Sequence, residues 1–229
     1  MGQFIDLQAA DGQSIPAYLA RPAGKVRGAL VVVQEIFGVN RHIREVADGY
    51  AAAGYLAIAP ATFHRVQPDV ELGYTEADMK QGMGLKAAVE ALPAPGVLQD
   101  LQAAVDYVAR ESGGKVGMVG YCWGGLLTWR AASQLKGLSA AVPYYGGGMT
   151  QPAELAPTLR VPVMAHLSDR DSYVPLDGVE ALKKAHPEVQ VFLYPAHHGF
   201  NCDHRAAHDA DAARQARERT LAFLGEHLG

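Results

Sequence analysis

Hydrophobic positions along the chain fall into two alternating kinds. Short runs at Ala29 to Val33, Tyr55 to Ala59, Val116 to Val119, Leu138 to Tyr144, Val161 to Leu167 and Val189 to Tyr194 are almost wholly apolar and rich in valine. Strands buried on both faces have this composition, because neither side of such a strand meets water. Between them lie Ile43 to Ala53, Val97 to Glu111, Leu126 to Leu135 and Gly178 to Ala185, with a last stretch from about Ala206 to His227, where apolar residues recur at helical spacing. Strand and helix in turn predict an α/β fold, a mainly parallel central sheet flanked by helices on both faces. The opening, Met1 to Pro22, alternates polar and apolar residues around Asp11-Gly12 and reads as a hairpin. The least regular part is Thr62 to Pro95. It reads either as a segment folded over the mouth of a site or as a plain connection with a short helix around Glu76 to Leu92.

Composition narrows this picture without deciding it. The chain has 229 residues, 49% of them hydrophobic and 19% charged, which suits one globular domain over 1–229 with a substantial core. A net charge of -4 and no cluster of Lys and Arg argue against nucleic acid as a partner. No run reaches the length of a membrane span, and the opening lacks the apolar core of a secretion signal. Gly2 is no myristoylation site, because position 6 is Asp6. The expected location is the cytoplasm, the favoured state a monomer and the partner a small molecule. The two cysteines are Cys122 and Cys202; both fit a reducing compartment as free thiols.

Candidate chemistry is densest after the third of these strand runs. Gly120-Tyr121-Cys122-Trp123-Gly124 places a cysteine between glycines where a buried strand turns into a helix. A turn that sharp holds its central residue in a strained conformation and admits only glycine where backbones pass closely. The helix N-terminus favours an anion there, and thiolate is the form of cysteine that attacks carbon. Taken alone, the pattern reads equally as a buried structural cysteine beside a glycine-rich turn. Downstream stand Asp171, after the run ending at Leu167, and His198, after the run ending at Tyr194. Nucleophile, acid and histidine in that order, each at a strand exit, are the arrangement of α/β-hydrolase chains. Glu35, at the exit of the first strand run, reads as part of the same site, since Asn40 is the better cap for the helix that follows.

The chain resembles the dienelactone hydrolase family over nearly its whole length. The resemblance rests on Gln34-Glu35-Ile36-Phe37-Gly38, the elbow Gly120 to Gly125, Tyr144-Tyr145-Gly146, the Asp171 loop ending Val174-Pro175, and His198-Gly199-Phe200. It implies a hydrolase of ester or lactone carbonyls with Cys122, His198 and Asp171 as its triad and Glu35 beside the resting thiol. Backbone N–H groups of Ile36 and Trp123 are the expected oxyanion donors, and no cofactor or metal is implied. In the family an arginine four residues after the catalytic histidine binds the substrate carboxylate; here that position is Cys202. Arg205, close by in the sequence, is its basic substitute; a second family arginine falls in the irregular segment, where Lys80 is the nearest basic match, and Tyr145 is a candidate pocket wall. His197 adjoins His198, and the family pattern favours His198 as the base. His204 and His208, four apart, read as a solvated helix start rather than a metal pair. Two alternatives stay open: a general carboxylesterase or thioesterase with a neutral acyl pocket, and a small-molecule binding protein without turnover.

Overall fold

The computed structural model describes residues 2–229. The predicted hairpin is β1 (Gln3–Gln8) and β2 (Ser14–Ala20). It is followed by β3 (Gly28–Val33), β4 (Tyr55–Pro60), β5 (Val116–Tyr121), β6 (Leu138–Tyr144), β7 (Met164–Arg170) and β8 (Gln190–His197). One sheet holds all eight in the order β1-β2-β4-β3-β5-β6-β7-β8. Strands β3 to β8 pair in parallel, and the hairpin joins their edge by antiparallel pairing of β2 with β4.

The period of two along β3 divides the core. Ala29, Val31 and Val33 belong to one apolar cluster, with Leu101, Ala104 and Val108 of α3 (Leu98–Ser112) and Leu127 of α4 (Trp123–Gln134). Leu30 and Val32 belong to the other, with Ile43 and Ala47 of α1 (Arg41–Ala52) and Ala216 and Phe223 of α7 (Ala210–Leu228). Both faces of the sheet are therefore covered, as the uniformly apolar strand runs predict. Burial of each such valine or leucine side chain stabilises the fold by about 1.5–3 kcal/mol.

Several boundaries differ from the hydrophobic pattern. Strand β7 starts at Met164 rather than Val161 and continues through Ser168 and Asp169 to Arg170, because its ladder with β8 extends past the apolar stretch to Arg170 and His197. Helix α4 begins at Trp123, directly after the turn, not at Leu126. Helix α7 begins at Ala210, where the Asp209 carboxylate accepts the N–H of Ala212 as an N-cap. A short α5 (Pro152–Leu155) precedes β7, and α6 (Leu176–Ala185) follows it. Within the irregular segment, α2 (Glu76–Glu90) starts on a capping box of Thr75 and Asp78. Gly82 lets α2 lie against the Ile36 carbonyl, where any Cβ would collide, so this helix is held over the exits of β3 and β5. No helix among the described residues is long and apolar enough to cross a membrane.

Candidate active site

Cys122 stands between β5 and α4 with φ 55° and ψ -119°, a region costing a non-glycine residue on the order of 1–3 kcal/mol. Its surroundings enforce it. The Cys122 N–H donates to Tyr144 O at 3.1 Å, and its carbonyl accepts the N–H groups of Gly125 and Leu126. A side chain at Gly120 would strike the Gly124 carbonyl, and one at Gly124 would strike the carbonyls of Val33 and Gln34. Both glycines are thus required for the helix to start this close to the sheet.

Asp171 follows β7 directly, and its side chain has no exposure to solvent. One carboxylate oxygen accepts the Tyr173 N–H at 2.8 Å; the other meets Nδ1 of His198 at 2.7 Å. The imidazole ring lies between Tyr173, 4.8 Å away, and Tyr145, 5.1 Å away edge-on. Burial disfavours a charged ring, but the charge of Cys122 and the bond to Asp171 outweigh it and push His198 up to about 10. A charge on Cys122 and a proton on the ring therefore favour one another. In Cys122→Ser the neutral hydroxyl removes the leading favourable contribution, so the titration midpoint of His198, followed by NMR of its ring, is expected to move down. The same midpoint in both proteins would show that Cys122 does not act on the ring.

Glu35 is buried just beyond β3, 1% exposed. Its Oε1 pairs with Arg205 Nη1 at 3.2 Å, and its Oε2 has no hydrogen-bond partner. The resemblance places this glutamate beside the resting thiol; among the described residues its bond is to Arg205, and none joins it to Cys122. The N–H groups of Ile36 and Trp123, the expected oxyanion donors, find no backbone acceptor among the described residues.

A cavity of about 300 Å³ opens over Cys122 and His198. Ile36, Phe37 and Trp123 form apolar walls, and Arg205 reaches it from the side. From α2 come Met79, Met83 and Lys86, spaced i, i+4, i+7 on one helical face. Lys80 is one residue off that face and exposed; it does not line the cavity, and Lys86 takes the place expected of it. That periodicity is the signal in the sequence that would have singled out Lys86 and both methionines. Tyr145 is fully buried behind His198 and is a support for the ring rather than a wall. Cys202 is also fully buried, and burial and the Glu35 charge push its thiol up to about 12, so it is a neutral thiol outside the cavity. His197 is exposed at the end of β8. His204 lies in a turn and His208 in the loop before α7, neither on a helix, and His204 Nε2 meets Glu45 Oε2 at 2.7 Å.

Comparison with known proteins agrees with this architecture. The family model for the dienelactone hydrolase family matches residues 15–228. The carboxymethylenebutenolidase of Pseudomonas putida is 34% identical over 228 residues, which span 96% of this chain and 94% of that protein. The solved structure of a candidate dienelactone hydrolase from Klebsiella pneumoniae subsp. pneumoniae aligns with a TM-score of 0.83 at 30% identity, covering 99% of this chain and 98% of that one. A dienelactone hydrolase-like promiscuous phosphotriesterase from metagenomic libraries, 21% identical with a TM-score of 0.78, shares the fold.

Proposed function

Since the chain belongs to the dienelactone hydrolase family and is an ester or lactone hydrolase of that kind, we propose that it works through a thioester on Cys122, with His198 as acid and base and Asp171 as its orienting partner. The observation that carries this reading is the strained Cys122 at the floor of the cavity beside a ring fixed by a buried carboxylate at 2.7 Å.

The Cys122 thiolate attacks the substrate carbonyl, and the oxyanion that forms takes the N–H groups of Ile36 and Trp123. Collapse breaks the ring or ester C–O bond. The imidazolium of His198 gives its proton to the departing oxygen, and the acyl group stays on sulfur. Acylation removes the charge that raised His198, so the ring is now neutral and able to accept a proton. It takes one from water, the hydroxide attacks the thioester, and thiolate leaves as the carboxylic acid product forms. Enol leaving groups suit this sequence, because a thiolate is itself readily expelled and competes with poorer leaving groups such as alkoxides. Side chains, two backbone N–H groups and water carry every step.

Arg205 and Lys86 face the cavity and favour a substrate with a carboxylate, the dienelactone class. The apolar walls favour the second reading, a general carboxylesterase with a neutral acyl pocket. Single-turnover mass spectrometry on dienelactone and on neutral activated esters tests the mechanism. An acyl adduct on Cys122 is expected, and its absence under turnover would overturn the thioester. Arg205→Ala is expected to lower kcat/KM for dienelactone by about 30-fold or more, the equivalent of losing a partner worth about 2 kcal/mol, while sparing a neutral ester. Loss of the Glu35 pairing affects both substrates alike, so the ratio isolates the substrate contact. An unchanged ratio would remove Arg205 from substrate binding and favour the general esterase.

A further inference from the structure

Beside the cavity, His42 and Cys202, to which the catalytic steps give no role, form a buried cluster with Glu35. Glu35, His42 and Cys202 are all buried, and each offers a donor atom within 4.8 Å of the other two. His42 has 3% side-chain exposure and holds Asp203 Oδ1 through Nδ1 at 3.1 Å. The carboxylate accepts the proton of Nδ1, which leaves the lone pair of the ring on Nε2. Nε2 has no hydrogen-bond partner, and neither has Glu35 Oε2. Two buried acceptors thus adjoin one thiol, which itself meets the Tyr74 hydroxyl, an arrangement that costs free energy unless a cation or a donor reaches both acceptors.

We infer that Glu35, His42 and Cys202 form a site for a divalent cation of the zinc class, held by one carboxylate oxygen, one imidazole nitrogen and one thiolate. Hard cations such as Mg²⁺ and Ca²⁺ seek all-oxygen shells. A mixed sulfur, nitrogen and oxygen set is that of zinc or cobalt, and three protein ligands leave a fourth position for water. Asp203 supplies the outer carboxylate that metal-bound histidines characteristically carry, fixing both tautomer and ring. Arg205 occupies only Oε1 of Glu35, so the other oxygen can serve the ion. As the sulfur–metal bond forms, the Cys202 proton passes to solvent. A neighbouring set of the same His42 with the exposed Asp203 and His204 is already paired internally and with Glu45, and is the weaker candidate.

The chain's two cysteines give a direct test that needs no turnover, so its failure is separable from failure of the catalytic reading. In Cys122→Ser the only thiol is Cys202. Titration of that protein with Co²⁺ under reducing conditions is expected to give a near-ultraviolet thiolate-to-cobalt band that saturates at one equivalent and disappears on adding Zn²⁺. The band is expected to vanish in Cys122→Ser/Cys202→Ser. Adding His42→Gln to Cys122→Ser is expected to weaken Co²⁺ binding at least tenfold. Asp203→Asn, at an exposed residue that leaves the fold intact, is expected to weaken it about tenfold through the ring orientation; circular dichroism checks folding in each case. No band at excess Co²⁺ would overturn the site and leave a bridging water as the occupant. A band whose affinity survives Asp203→Asn and a folded His42→Gln would overturn it equally.

Discussion

Alanine in place of Cys122 is expected to lower kcat toward any activated ester by roughly 10³-fold or more, the scale on which hydrolases lose activity with their nucleophile. The chain has one other cysteine, and Cys202 is fully buried, outside the cavity and held as a neutral thiol. No other group can therefore take over the attack. The fold should survive the change, since a small side chain is replaced by a slightly smaller one and the turn is imposed by its neighbours. Relief of the strained φ at Cys122 is not available to alanine either, so the melting temperature should move little. Cys122→Ser keeps the geometry but offers a hydroxyl that is far harder to deprotonate than a thiol, and is expected to be nearly as poor. Steady-state rates with circular dichroism on the same samples decide the matter. Retention of more than about a hundredth of the wild-type kcat in a folded Cys122→Ala protein would end the thioester mechanism.

Why Cys122 can be picked out from the sequence, while Lys86 is missed and Lys80 named instead, follows from the range over which each position is determined. The elbow is local: an apolar strand, two glycines four apart and a helix fix the turn within a few residues. Asp171 and His198 are legible because apolar runs end just before them, and in a parallel sheet strand exits share one edge. The hairpin and the two-faced core follow from alternation and uniform apolarity, which report directly on solvent. Polar residues that extend an element are invisible to that signal. Ser168 and Asp169 continue β7 by backbone pairing alone, and Trp123 enters α4 because of the turn before it. Long-range pairings are the hardest. The bond between Glu35 and Arg205 spans 170 positions, and the placement of α2 over the cavity depends on Gly82 meeting Ile36. Lys80 is the nearest basic match to the family arginine along the chain, but in this segment helix phase decides which face meets the site, and that face carries Lys86.

Loss of His198 should be the next largest effect, and its neighbour supplies the control. His198→Ala is expected to cost about 10²- to 10⁴-fold in kcat, while His197→Ala stays within about twofold of wild type. His197 ends β8 and His198 follows it, and successive residues there point apart. His197 is exposed and pairs in register with Arg170. His198 is 12% exposed in its side chain and bound to a carboxylate with no exposure at all. Only the second ring can be held in one tautomer and aimed at the sulfur. Because His198 both donates to the leaving oxygen and activates water, its removal slows acylation as well as thioester hydrolysis. Single-turnover mass spectra should therefore show a Cys122 adduct that forms slowly and then persists. A rapid burst of adduct in His198→Ala would confine the ring to the second step. Equal losses at both histidines would leave the base unassigned, and a worse loss at His197 would place the general base on the exposed ring and detach Asp171 from the reaction.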